Sequence, residues 1–119
     1  MVTEEKEVNQ IMLEKMLATT KSIVETIEVK DKAYGSSWKS HGGFSAFFNL
    51  DRKYSRIQTM AREENWDIFA AMIANPADGP DALKDLIAYA LLILSETYTP
   101  PGWDNGEPGK EYVDQDKEK

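Results

Sequence analysis

Six cations stand between positions 30 and 56 of this chain: Lys30, Lys32, Lys39, Arg52, Lys53 and Arg56. Only Asp31 and Asp51 oppose them there, so the segment carries +4. Arginine offers a planar fork that grips phosphate with two hydrogen bonds, and lysine offers a point charge. Between the two halves of this cluster runs Tyr34-Gly35-Ser36-Ser37-Trp38-Lys39-Ser40-His41-Gly42-Gly43. The glycines and serines argue for a loop, and its backbone N–H groups are suited to the same anion. No Gly-Lys-Ser/Thr follows, so the loop is not a P-loop. Tyr34 and Trp38 are candidates to stack on a base, a contact worth about 1–3 kcal/mol. Trp38 suits a core plug equally well. His41 fits a loop position, or a contact to phosphate or ribose, better than acid–base work.

Two carboxylate pairs form a second constellation. Glu25 and Glu28 are three apart, and Asp81 and Asp85 are four apart. At either spacing both groups of a pair share one helix face. Asp81 also suits the first turn of a helix, where an acid opposes the macrodipole. Two such pairs on facing helices are one way to hold Mg²⁺, which takes oxygen ligands, keeps waters and bridges to phosphates. The chain has no cysteine and one histidine. Any metal here has mainly carboxylate ligands.

The 119 residues carry a net charge of −7, which argues against a broadly basic surface for a nucleic acid polymer. The charge is uneven, with −3 over residues 1–29, −5 over 57–99 and −3 over 100–119. The longest apolar run, Leu86 to Leu94, has nine residues, about half of what a membrane span needs. The N-terminus lacks the apolar core of a secretory signal. A soluble, cytoplasmic protein without membrane contact is expected.

The elements that must position these groups read as helices. Residues 4–30 place Val8, Ile11, Met12, Met16, Ile23 and Ile27 at three- and four-residue steps, the mark of an amphipathic helix. Residues 44–64 resume that spacing through Phe44, Phe47, Phe48, Tyr54, Ile57 and Met60. Residues 65–74 form a shorter candidate with Trp66 and Phe69. Asn75-Pro76-Ala77-Asp78-Gly79-Pro80 breaks the chain. Residues 80–97 are apolar nearly all round, which predicts the most buried helix of the fold. The class is all-α, a compact bundle of about four helices. Residues 1–99 form the domain, and 100–119 read as an acidic, poorly ordered tail in which Trp103 and Tyr112 are docking candidates.

Three blocks in order carry a family resemblance. Lys30 to Trp38 resembles a Lys-x-x-x-Tyr-Gly-x-x-Trp signature, and Phe48 to Arg56 resembles a Lys-Tyr-x-Arg helix. Asp81 to Tyr89 resembles an Asp-x-x-x-Asp-Leu-x-x-Tyr closing helix. Together they resemble the small helical "nucleotide modification associated domain 1" proteins of phages and prophages. Those in turn are similar to MazG-like, all-α nucleoside-triphosphate pyrophosphohydrolases. The resemblance implies nucleotide handling in a bacterial or phage-infected cell. It also implies a Mg²⁺ site made from a Glu-x-x-Glu and a Glu-x-x-Asp pair. Glu25, Glu28 and Asp85 match that pattern. Ala82 stands where the remaining glutamate belongs, leaving Asp81 as its substitute one position further away.

Two functions therefore compete. One is a Mg²⁺-dependent pyrophosphohydrolase with Glu25, Glu28, Asp81 and Asp85 on the metal. The other is a non-catalytic phage protein that sequesters a nucleotide second messenger and so blocks host defence. In both, Lys30, Tyr34, Trp38, Lys39, His41, Arg52, Lys53 and Arg56 contact a nucleotide or nucleotide-derived small molecule. A homo-oligomer is expected from the chain's size and the resemblance.

Overall fold

The structure, a computed structural model, describes residues 2–109, with side chains from residue 7 onward. Four α-helices appear among them: α1 (Val2–Tyr34), α2 (Gly43–Glu63), α3 (Ile68–Ala74) and α4 (Asp78–Thr97). A 3₁₀ turn, Ser37–Lys39, lies between α1 and α2. Two short strands, β1 (Trp103–Asp104) and β2 (Glu107–Pro108), follow α4. The fold class is all-α, as the spacing predicts. Among the described residues, no helix is long and apolar enough to cross a membrane.

The described residues make two units, one ending at Tyr89 and one starting at Ala90. The first unit is built on a small core of Ile57, Met60, Ala71 and Ala82, with Ile68, Leu83 and Leu86 packed on it. It joins α2, α3 and the start of α4. Small residues let these helices approach closely. A Cβ on Gly79 would stand 3.0 Å from the end of the Met72 side chain, so α3 and α4 pack closely there and any larger residue would push that side chain aside.

Helix α3 starts later than its apolar spacing suggests. The Asp67 side chain accepts from the backbone N–H groups of Phe69 and Ala70 at 3.0 and 3.1 Å. This is an N-cap that satisfies two donors of the first turn. Asn65 and Trp66 precede it at φ 58° and 66°, which keeps Trp66 outside the helix and exposed.

The expectation for α4 is corrected. Only Gly79 and Ala82 of this helix are buried, and Ile87 and Leu94 are exposed. The reason lies in its partners. Within the first unit, the surface that α2 and the seven-residue α3 offer to the start of α4 is narrow and partly alanine, and it leaves Ile87 exposed.

The tail is also corrected over residues 103–108. β1 and β2 pair antiparallel, Trp103 opposite Pro108 and Asp104 opposite Glu107. Asn105 and Gly106 close the hairpin with φ of 52° and 82°. Two consecutive positive φ angles are what a type I′ turn requires and what Asn-Gly readily supplies. Residues 110–119, including Tyr112, lie outside the described residues.

Helix α1 runs through to Tyr34, and Gly35 terminates it. At φ +62°, Gly35 donates its N–H to the Asp31 carbonyl at 2.7 Å, a left-handed C-cap. Along α1, Ile23 is buried and Ile27 half-buried. Every residue from Glu7 to Ser22 is exposed.

Candidate functional site

The basic segment separates into two places in the first unit. One is an ion cluster. Lys53 Nζ on α2 lies 2.9 Å from Asp85 Oδ2 on α4, and Lys30 Nζ on α1 lies 3.8 Å from Asp85 Oδ1. The Lys53 and Asp85 side chains are 15% and 19% exposed, whereas Lys30 is 60% exposed. Asp85 therefore ties three helices together through one carboxylate. A pair withdrawn this far from water is strong when complete and costly when broken.

This geometry does not suit the expected metal. Among the described residues, no group of three or more His, Asp or Glu side chains is gathered to hold an ion. Glu25, Glu28 and Asp81 are exposed. Asp85 is shared by two lysines, whose positive charges oppose a divalent cation at the same oxygens. The four acids do not fit a Mg²⁺ cage in this chain.

The second place is a groove of about 420 Å³ at the start of α2, lined by Ser37, Ser40, His41, Phe44, Ser45, Phe48 and Asn49. Its shape comes from local hydrogen bonds. Ser45 Oγ accepts from the His41 N–H at 3.0 Å and donates to the Gly42 carbonyl at 3.1 Å. Gly42 sits at φ +67° as the N-cap residue of α2, a backbone turn that an L side chain rarely adopts. Ser40 Oγ and His41 Nδ1 lie 3.2 Å apart. Phe44 and Phe48, one turn apart, meet edge to face with centroids separated by 4.7 Å. They make an aromatic wall that is 70% and 53% exposed.

A relay links this groove to charge. Asn49 Nδ2 donates to the Trp38 carbonyl at 3.0 Å, and Arg52 donates to Asn49 Oδ1 at 3.0 Å. The turn carrying Trp38 is thereby pinned to α2, and the Arg52 guanidinium is held beside a groove residue. Arg56 is half-buried. Ser45, Phe48, Asn49, Arg52 and Arg56 follow three- and four-residue steps and so share one face of α2. The first-turn N–H groups of the same helix present the positive end of its dipole, and no acid stands in that turn, so nothing there repels an anion.

The remaining predicted contacts divide between these places. His41 lines the groove, while Lys30 and Lys53 belong to the ion cluster. Trp38 is half-buried and reaches the groove through its carbonyl bond to Asn49. Lys39 Nζ lies 5.6 Å from the Trp38 ring centroid, within cation–π range. Tyr34 is 71% exposed at the end of α1 and is not among the groove's lining residues. The residues missed by sequence reasoning are Phe44, Phe48, Asn49 and the three groove serines. Two phenylalanines four apart, next to a glycine-rich turn, were the available signal; their helical spacing pointed to a core instead.

No family model, curated protein or solved structure matches the chain.

Proposed function

We propose that this chain binds a nucleotide or nucleotide-derived small molecule in the groove at the start of α2 and does not hydrolyse it. The base lies against Phe44 and Phe48. The phosphates run along the same face toward Arg52 and Arg56. Ser45, His41 and the first-turn N–H groups supply polar contacts between them. From Phe48 to Arg56 the helix rises about 12 Å, room for a base at one end and a phosphate chain at the other. In the phage setting that the family resemblance implies, such a protein withdraws a nucleotide signal from the host cytoplasm.

One observation supports this function above all: the Trp38–Asn49–Arg52 relay, which couples an aromatic-walled groove to a cation. Binding without turnover is favoured by the placement of Asp85 between two lysines. A metal-dependent hydrolase needs that carboxylate for its ion.

The test is mass spectrometry of small molecules released by denaturing the purified chain, beside titration with a panel of nucleotides and cyclic or ADP-ribose-derived signals. The expected result is an intact nucleotide, returned unchanged after incubation with Mg²⁺. Release of pyrophosphate and a monophosphate instead would restore the hydrolase. Undiminished binding by both Phe48→Ala and Arg52→Gln would move the ligand away from this groove.

A further inference from the structure

We propose that the apolar face on the N-terminal half of α1, formed by Val8, Met12, Leu13, Met16 and Leu17, is the contact surface for a second copy of this chain. The face continues a stripe that the chain already uses. At its C-terminal end Ile23 is buried and Ile27 half-buried within the first unit. Toward the N-terminus the same stripe is bare, with Val8, Met12, Leu13, Met16 and Leu17 between 54% and 71% exposed.

A solvated helix of this kind has little to hold it. The segment from Glu7 to Ser22 is exposed throughout, and helices of about 12–15 residues without packing are marginal in water. Its side-chain hydrogen bonds are local, Gln10 to Glu14 and Thr20 to the Met16 carbonyl. Thr19 and Thr20 lower its intrinsic propensity further. Packing of the apolar face is the missing source of stability.

Charge selects the occupant. Residues 7–22 hold Glu7, Glu14, Lys15 and Lys21, a neutral set on a chain of −7. Two copies meeting through this segment bring no net charge against each other. A strongly charged partner finds no complementary field on this face. A lipid surface favours a polar face rich in lysine and arginine, and here Glu7 and Glu14 offset Lys15 and Lys21. The area is also adequate. Five large side chains giving up on the order of 100 Å² each, with their flanking residues, approach the roughly 800 Å² per partner of a standard interface. A two-fold pairing lets the same face serve both chains and closes the assembly at two.

Sedimentation of the full chain at micromolar concentration tests this directly. The expected mass is twice that of one chain. Met12→Glu combined with Met16→Glu weakens the association about 100-fold and yields a monomer. Both side chains are solvated in a single copy, so the unit around Ile57 and Met60 still unfolds cooperatively. The chain has no cysteine, so Leu13→Cys provides a second readout in the otherwise native face. It forms a disulfide-linked dimer on mild oxidation, while Glu25→Cys, exposed and on the opposite side of the helix from Ile23 and Ile27, does not. A wild-type chain that remains monomeric overturns the proposal. So does a dimer that survives the Met12/Met16 change but is lost on Phe69→Ser and Ile73→Ser, which would place the contact on α3.

Discussion

The ion cluster around Asp85 and the groove at the start of α2 draw on the same basic stretch of sequence, yet they use it differently. Lys30 and Lys53 turn toward an acid on α4. Arg52 turns toward a neutral amide, and that amide holds a loop carbonyl. A cation spent on an internal carboxylate fixes helices. One that is held by an amide keeps its charge for an incoming anion. The type of partner, more than the density of positive charge, separates scaffold from binding site.

The largest expected effect breaks the first half of this comparison. Lys53→Met leaves Asp85 with only the more distant, solvated Lys30, and should lower stability by about 2–3 kcal/mol. Urea unfolding monitored by circular dichroism reads the loss. Replacing both partners, Lys53→Met with Asp85→Leu, should recover most of it, because a withdrawn ion pair exchanged for apolar packing is near neutral. Ligand affinity per folded molecule stays unchanged in both. A parallel fall in affinity would merge the two places into one site.

Next in size is Phe48→Ala. Loss of a stacking surface should weaken nucleotide binding by roughly 1–3 kcal/mol, read by calorimetric titration. Stability changes much less, since the ring is half solvated. Arg52→Gln should weaken binding about tenfold by removing a charge-assisted contact to phosphate. It should also flatten the dependence of affinity on salt concentration, because exposed charges are screened by ions.

The smallest effect concerns the acids. Glu25→Gln and Asp81→Asn are each expected to change stability by less than about 0.5 kcal/mol, as substitutions at exposed positions usually do. Neither should alter ligand affinity, and a chelator should leave that affinity unchanged. Strict dependence of binding on Mg²⁺ would return these carboxylates to the site.

Much of the helical layout was legible because period and punctuation agree. The stripe from Val8 to Ile27, the breaker Asn75 to Pro80 and the glycine-rich turn place three of the helices within a few residues. Two local signals were present but outweighed by broader patterns. Asp67 marks the start of α3 more sharply than the apolar Trp66 before it. Asn105-Gly106 marks a hairpin inside a stretch whose composition suggests disorder. Burial was less legible. The apolar sequence of α4 says how much surface it could hide, not how much its neighbours cover.

The candidate site was half legible for a similar reason. Charge type and loop composition led to residues 30–56, and His41 and Arg52 stand in or beside the groove. The division of the cations depends on Asp85, which is 32 positions after Lys53. Spacing along one helix carries no information about such a contact. The phenylalanine wall was hidden by the ambiguity of aromatic residues, which serve a core and a ligand equally well.

The most direct test of the groove is an amide NMR titration of the full chain with ATP, without and with Mg²⁺. Binding at the start of α2 predicts shifts concentrated over residues 37–49 and at Arg52 and Arg56, of equal extent in both conditions, with ATP intact at the end. Shifts centred on Lys30, Lys53 and Asp85, or appearing only when Mg²⁺ is added, would contradict it.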